Sequence, residues 1–171
     1  MKKILITGGG GYIGSMLSTE LINQGYKVTV IDILKYDKGS LDHLYFNKNF
    51  IFINNDVGNT SLLKKQIKEH DFIIPLAALV GAPLCEKNKK DAVAINFGSI
   101  KTILNNLNNK NKLIYLTTNS GYGIGKKNKY CDENSPLKPI SLYGQTKCDA
   151  ENEVQKFKNT KFIEIPKLKF N

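Results

Sequence analysis

Tyr143 and Lys147 stand four residues apart in Tyr143-Gly144-Gln145-Thr146-Lys147. The segment around them is patterned as a helix, and that spacing puts both side chains on one face. A phenol with a pKa near 10 is a poor base at neutral pH. To work near pH 7 it must shift by about three units, roughly 4 kcal/mol. One ammonium at about 4 Å, in an effective dielectric near 20, supplies about 4 kcal/mol. The pair is therefore sized for a tyrosine that takes a proton from a hydroxyl with a lysine holding its pKa down. The same spacing also arises in an exposed helix pair with no chemistry, so its surroundings matter. The run Thr117-Thr118-Asn119-Ser120-Gly121-Tyr122-Gly123 ends a predicted strand and supplies further polar groups at the same edge of the fold.

A second constellation lies at the other end of the chain. In Thr7-Gly8-Gly9-Gly10-Gly11-Tyr12-Ile13-Gly14, the residues Gly8, Gly11 and Gly14 form G-x-x-G-x-x-G between a predicted strand and a predicted helix. One glycine permits the tight turn and another lets the backbone approach a pyrophosphate. The last lets helix and strand pack closely, while the helix N-terminus offers N–H groups and a positive dipole. A glycine string can also be only a turn; its place between strand and helix is the context a dinucleotide site requires. Asp32 ends the second predicted strand, where a carboxylate accepts hydrogen bonds from adenosine ribose hydroxyls; the plain alternative is a solvated strand-end aspartate. Asp56-Val57 follows the third strand and could hold the adenine ring.

These residues need a scaffold, and the chain alternates strand and helix throughout. Strands are predicted over residues 2–7 (KKILIT), 27–32 (KVTVID), 50–53, 71–76, 112–117 (KLIYLT) and 161–165. Helices are predicted over 12–24, with Ile13, Met16, Leu17 and Leu21 on one face, and over 61–69 and 141–158. Another spans 91–107, with Val93, Phe97, Ile100, Leu104 and Leu107 on one face. Strands without strict alternation, separated by helices, imply an α/β fold: a Rossmann-type, doubly wound parallel sheet of about six strands with helices on both faces. Two loops are long, 33–49, with a short helix expected near 41–46, and 118–140 at the carboxyl end of the fifth strand, where open parallel sheets bind ligands.

Composition narrows the classes. A chain of 171 residues is one domain's length, and 41% hydrophobic with 23% charged residues is a globular balance. No apolar run approaches the ~18 residues of a membrane span, and the start Met1-Lys2-Lys3 runs into glycines rather than a leader, so a cytoplasmic protein is expected. Three cysteines, Cys85, Cys131 and Cys148, are unpaired in spacing and suit a reducing compartment without a disulfide scaffold or zinc site. Cys85 reads as a small buried residue, and His43 and His70 as surface loop residues, His70 capping a helix end. The net charge of +10 invites a nucleic-acid partner, but all 25 basic residues are lysines, and bidentate base reading favours arginine. Nineteen asparagines point instead to an A/T-rich coding composition. Neither nucleic acid nor membrane is expected as a partner.

Taken in order, these motifs resemble the extended short-chain dehydrogenase/reductases, the NAD-dependent nucleotide-sugar epimerase/dehydratase family. Thr7 to Gly14 resembles the opening T-G-G-x-G-Y-I-G, Leu76-Ala77-Ala78 the L-A-A that lines the cofactor, and Tyr143 with Lys147 the Y-x-x-x-K. Asn96 falls where the family has a helix asparagine supporting the site, and Tyr122-Gly123 places the catalytic hydroxyl at Thr118. The resemblance implies NAD bound by Gly8, Gly11, Tyr12, Ile13, Gly14, Asp32, Asp56, Val57, Leu76, Ala77, Ala78, Thr117, Tyr143 and Lys147, with Thr118, Tyr143 and Lys147 catalytic and no metal. Family dehydratases carry Thr-Asp-Glu where this chain has Thr118-Asn119-Ser120, and the usual His before L-A-A is Pro75. An epimerase or oxidoreductase acting on a UDP-, GDP-, dTDP- or CDP-sugar is thus implied rather than a dehydratase. Residues 1–171 would form the NAD-binding domain, without the family's C-terminal substrate domain, and such a chain is expected to self-associate as a homodimer or larger species. The alternative is a truncated, non-catalytic NAD(H)-binding module.

Overall fold

Residues 3–7 alternate between two apolar layers, and that alternation organises the molecule. In the computed structural model, which describes residues 1–125, 130–132 and 134–158, β1 (Lys3–Thr7) lies in the middle of a five-stranded sheet. Ile4 and Ile6 join Val28, Val30, Ile74 and Ile22 on one side, whereas Leu5 joins Ile31, Ile73 and Leu113 on the other. A strand apolar on both faces must be covered on both, which only helix–sheet–helix layering achieves. The remaining strands are β2 (Lys27–Asp32), β3 (Phe50–Asn54), β4 (Phe72–Pro75) and β5 (Lys112–Leu113). All pair in parallel, in the order β3-β2-β1-β4-β5, with Leu5 opposite both Thr29 and Ile73. The order reverses between β1 and β4, which opens a crevice at the carboxyl ends of those strands.

Helix α1 (Tyr12–Asn23) covers one face; α2 (Thr60–Glu69) and α6 (Leu142–Lys158) cover the other. So does a continuous helical stretch made of α4 (Lys89–Val93), a π-helical turn (Ala94–Gly98) and α5 (Ser99–Leu104). A short α3 (Ala82–Lys87), with Pro83 in its first turn, precedes α4. Caps follow local chemistry: the Asn59 carboxamide accepts from Leu62 N at 3.2 Å, and Ser141 Oγ accepts from Gly144 N at 3.1 Å. No helix among the described residues is long and apolar enough to cross a membrane.

Several expectations need correcting. On α1 the buried stripe is Gly14, Ser18 and Ile22, with Leu17 and Leu21 partly buried; Ile13 and Met16 stay 45% and 61% exposed. Gly14 must abut the glycine loop, and this contact rotates the helix away from its most apolar face. The helix predicted from Asp91 begins at Lys89, and its π turn adds a residue to the period, so Ile100, Leu104 and Leu107 pack inward while Val93 does not. Among the described residues the fifth strand has ladder partners only at Lys112 and Leu113, continued by Ile114 N donating to Ile73 O at 2.9 Å. The helix expected near 41–46 is a single 3₁₀ turn, Asp42–Leu44, with Leu41 and Leu44 buried beneath it. His70 does cap α2, but it is buried, not a surface residue: Nδ1 donates to Gln66 O (2.6 Å) and Nε2 accepts from Thr29 Oγ1 (2.8 Å). Cys85 is fully buried and His43 exposed, as expected. The sixth predicted strand, 161–165, lies outside the described residues.

Candidate active site

The glycine loop leaves β1 at the buried Thr7 and turns through Gly8, whose φ of +74° suits glycine. A Cβ there would stand 2.7 Å from the Leu76 carbonyl carbon and press into the Ala77 backbone. Leu76 N donates to Thr7 O at 2.8 Å, and Gly8 N to Ile31 O at 2.8 Å. The loop is thereby pinned between the ends of β2 and β4, and Leu76, Ala77 and Ala78 lie half-buried beside it. At Gly14 a Cβ would sit 2.5 Å from Gly9 Cα, so helix and loop approach to backbone contact. Gly11 is the N-cap of α1 and provides no side-chain cap, and the exposed Tyr12 and Ile13 open the helix. The first-turn N–H groups of α1 are thus left for an external acceptor.

Asp32 closes this end. Its Oδ2 accepts from Gly10 N at 2.8 Å and its Oδ1 from Leu34 N at 2.7 Å. Each oxygen retains lone-pair capacity. Ser40 Oγ donates to Gly10 O at 2.9 Å, fastening the 33–49 loop over the glycines. Asp56 and Val57 follow β3 at the same sheet edge but split in role: Asp56 is exposed and accepts from Gly58 N at 2.6 Å in a turn, whereas Val57 is buried in the core.

A second cluster forms where the chain leaves β5. Lys147 on α6 is 9% exposed, and its Nζ donates to Leu116 O at 2.9 Å and lies 4.4 Å from the Tyr115 ring centroid. Burial holds its pKa down at about 8, with the Glu151 carboxylate acting in the opposite direction. Burial pushes the Tyr115 phenol well above its ordinary range, and its hydroxyl donates to Lys147 O at 3.3 Å. Thr117 Oγ1 donates to Glu151 Oε2. Thr118 begins the 3₁₀ turn Asn119–Tyr122, and its Oγ1 accepts from Ser120 N at 3.3 Å. Gly144, beside Tyr143, lets α6 press on this turn: a Cβ there would be 2.7 Å from Ser120 O. Tyr143 itself is half-buried against Leu79, Cys85 and Ala92.

Asn96 joins the two clusters. It is 2% exposed, held inward by the π turn. Its Oδ1 accepts from Leu79 N (2.8 Å), and its Nδ2 donates to Leu79 O (3.0 Å) and Thr146 Oγ1 (3.3 Å). The segment after Ala78 is thus tied to the helix that carries Tyr143 and Lys147. Sequence reading did not single out Leu116, Thr146 or Glu151. Only Glu151 left a signal, standing four residues after Lys147 on the same helix face.

The chain resembles known proteins in sequence and in fold. A family profile described as "NAD dependent epimerase/dehydratase family" matches residues 4–165. A UDP-N-acetyl-alpha-D-glucosaminuronate decarboxylase of Bacillus cytotoxicus is 32% identical over 125 residues, covering 72% of this chain and 39% of the relative. The crystal structure of a UDP-glucuronic acid 4-epimerase from Bacillus cereus, in complex with UDP-glucuronic acid and NAD, superposes with a TM-score of 0.83 at 31% identity, over 95% of this chain and 54% of that one. A dTDP-glucose 4,6-dehydratase from Bacillus anthracis in complex with NAD gives 0.82 at 26% identity, over 94% and 51%. The chain spans about two fifths to one half of the length of these proteins. With the family profile matching nearly all of the chain, the protein belongs to the NAD-dependent epimerase/dehydratase family.

Proposed function

We propose that this chain is the NAD-binding domain of a nucleotide-sugar epimerase or oxidoreductase, rather than of a dehydratase. The observation that carries the reading is the placing of Lys147: a buried amine on the Tyr143 helix, hydrogen-bonded to Leu116 O two residues before Thr118. The residues present fit a dinucleotide. Gly8 and Gly14 let the loop pack in backbone contact with the Leu76–Ala77 segment and with the start of α1, α1 has no side-chain cap, and Asp32 has acceptor capacity at the end of β2. In this reading Gly8, Gly11, Tyr12, Ile13, Gly14 and Asp32 hold the pyrophosphate and adenosine ribose. Asp56 and Val57 lie toward the adenine, and Leu76, Ala77, Ala78 and Thr117 line the nicotinamide end.

Bound NAD supplies the hydride acceptor for oxidation of a sugar carbinol. Tyr143 takes the hydroxyl proton as the carbinol is oxidised and returns one when the carbonyl is reduced. Thr118 donates a hydrogen bond to the same oxygen and holds it beside the phenol. Lys147, charged in a site of low dielectric, lowers the cost of the Tyr143 phenolate and bonds the nicotinamide ribose. Asn119 and Ser120 are an amide and an alcohol, so they provide neither the carboxylic acid nor the carboxylate base that water elimination uses.

The test is titration calorimetry with NAD, followed by assay of UDP-, GDP-, dTDP- and CDP-sugars. NAD binding together with epimerised or reversibly oxidised sugar supports the reading. A 4-keto-6-deoxy product overturns the choice of reaction. NAD binding without turnover favours a non-catalytic NAD(H)-binding module, and failure to bind NAD overturns both.

A further inference from the structure

We propose that Glu151 is a positioning residue for the Tyr143–Lys147 pair: tied to Thr117 one helical turn beyond Lys147, its carboxylate keeps the buried lysine charged and in register with Thr118. The proposal rests on the reading of Tyr143 and Lys147 given above. Three consecutive residues at the strand end are used in three ways. Leu116 O accepts from Lys147 Nζ, the Thr117 hydroxyl donates to Glu151, and Thr118 opens the turn that carries its own hydroxyl. Two bonds one helical turn apart therefore staple this segment to α6. That staple fixes the height of Thr118 against the helix face bearing Tyr143.

The charge argument follows from burial. The low dielectric that makes an ammonium effective on a neighbouring phenol also favours losing its proton. One carbonyl and the face of Tyr115 compensate only in part. Among the described residues, the titratable groups around Lys147 are Tyr143 and Glu151 on its own helix, Cys148 beside it and Tyr115 from the segment beneath. Burial pushes the Tyr115 phenol and the Cys148 thiol up, so both stay neutral. Glu151 is the one whose charge bears on Lys147. A pKa of about 8 leaves roughly nine tenths of the amine charged at pH 7, and a unit lower leaves about half. Along α6 the order is Tyr143, Lys147, Glu151, one turn each, so the lysine stands between the phenol and the opposing carboxylate. The Thr117 hydroxyl satisfies the carboxylate where it is, away from Tyr143.

The experiment is an NMR pH titration of the full chain labelled with carbon-13 at lysine Cε. The Lys147 resonance is identified by its absence in Lys147→Met. It is expected to titrate near pH 8, well apart from exposed lysines near 10.4. Glu151→Gln, which keeps size and hydrogen bonding but not charge, is expected to lower that midpoint by about one unit, a tenfold change in the ratio of neutral to charged amine at pH 7. Thr117→Val, which keeps the charge but not its tether, is expected to lower it by less. A glutamate needed only for helix packing would leave the midpoint in place, and an unchanged midpoint in Glu151→Gln overturns the proposal. If that variant does not fold, Thr117→Val decides on the same criterion. A shifted midpoint in a chain that binds no NAD upholds the Glu151–Lys147 coupling and overturns the reading of the site instead.

Discussion

The two ends of the crevice are built from different materials. The glycine-loop end is backbone: a positive-φ glycine, a glycine against backbone, and a helix start with no side-chain cap, with Asp32 as its main side chain. The Tyr143–Lys147 end is side chain and burial: a lysine on a carbonyl, a threonine on a carboxylate, and an asparagine bonded to both Leu79 and Thr146. Backbone sites are local and sensitive to bulk. Side-chain sites are assembled from distant segments and are sensitive to lost partners. A bulky substitution at the first end should therefore damage fold and ligand binding together, whereas a truncation at the second should separate them.

Gly8→Ala tests the first half of that contrast. The added Cβ meets the Leu76–Ala77 backbone at a φ that alanine adopts poorly. A loss of about 3 kcal/mol or more in folding stability is expected, with NAD binding lost. Chemical denaturation and calorimetry measure both, and a variant of wild-type stability would show that the loop yields.

Asn96→Leu tests the second half. It leaves the buried Leu79 N–H without its partner and the Leu79 C=O with only the weak Cys85 thiol donor, at an expected cost of about 2 to 3 kcal/mol. NAD affinity should change by no more than a few-fold, because the glycine loop and Asp32 are untouched. An equal loss of binding and stability would erase the distinction between the two ends.

Asp32→Ala removes the carboxylate that is bonded to the glycine loop at the backbone-built end. NAD affinity is expected to fall about tenfold, or 1.4 kcal/mol. In the unmodified chain NAD should bind more tightly than NADP, because Asp32 repels a 2′-phosphate and the chain holds no arginine to receive one. Calorimetry with both dinucleotides sharpens the comparison, and equal or tighter NADPH binding contradicts it.

The smallest effect lies away from the crevice. Burial holds the His70 pKa below its ordinary 6.5. Below about pH 6.5 the unfolded chain then binds more protons than the folded one, so stability falls as pH falls toward the folded-state value and is fully present above the unfolded one. The slope from this group is at most about 1.4 kcal/mol per pH unit. His70→Gln should flatten that part of a stability–pH curve measured by urea unfolding.

What the sequence carries by itself is what depends on neighbours along the chain. Gly8, Gly11 and Gly14 are legible because a turn into a helix is a property of consecutive residues. Asp32 is legible because it ends a strand, and Tyr143 with Lys147 because helix period alone puts them on one face. The parallel α/β architecture follows from apolar runs that alternate with helical periods. Tertiary structure decided what depends on residues far apart. Nothing local says that Ile13 and Met16 face outward; close packing of Gly14 on the glycine loop turns them there. Nothing in the period of 91–107 announces a π turn, yet it carries Asn96 inward to Leu79 and Thr146. Nothing along the chain says that Lys147 is buried; the segment after β5 and α6 close over it, bonding it to Leu116 O and bringing Thr117 to Glu151. Burial and hydrogen bonding across thirty or more residues are set by how the layers close on the sheet, and that closure has no signature in the order of residues along the chain.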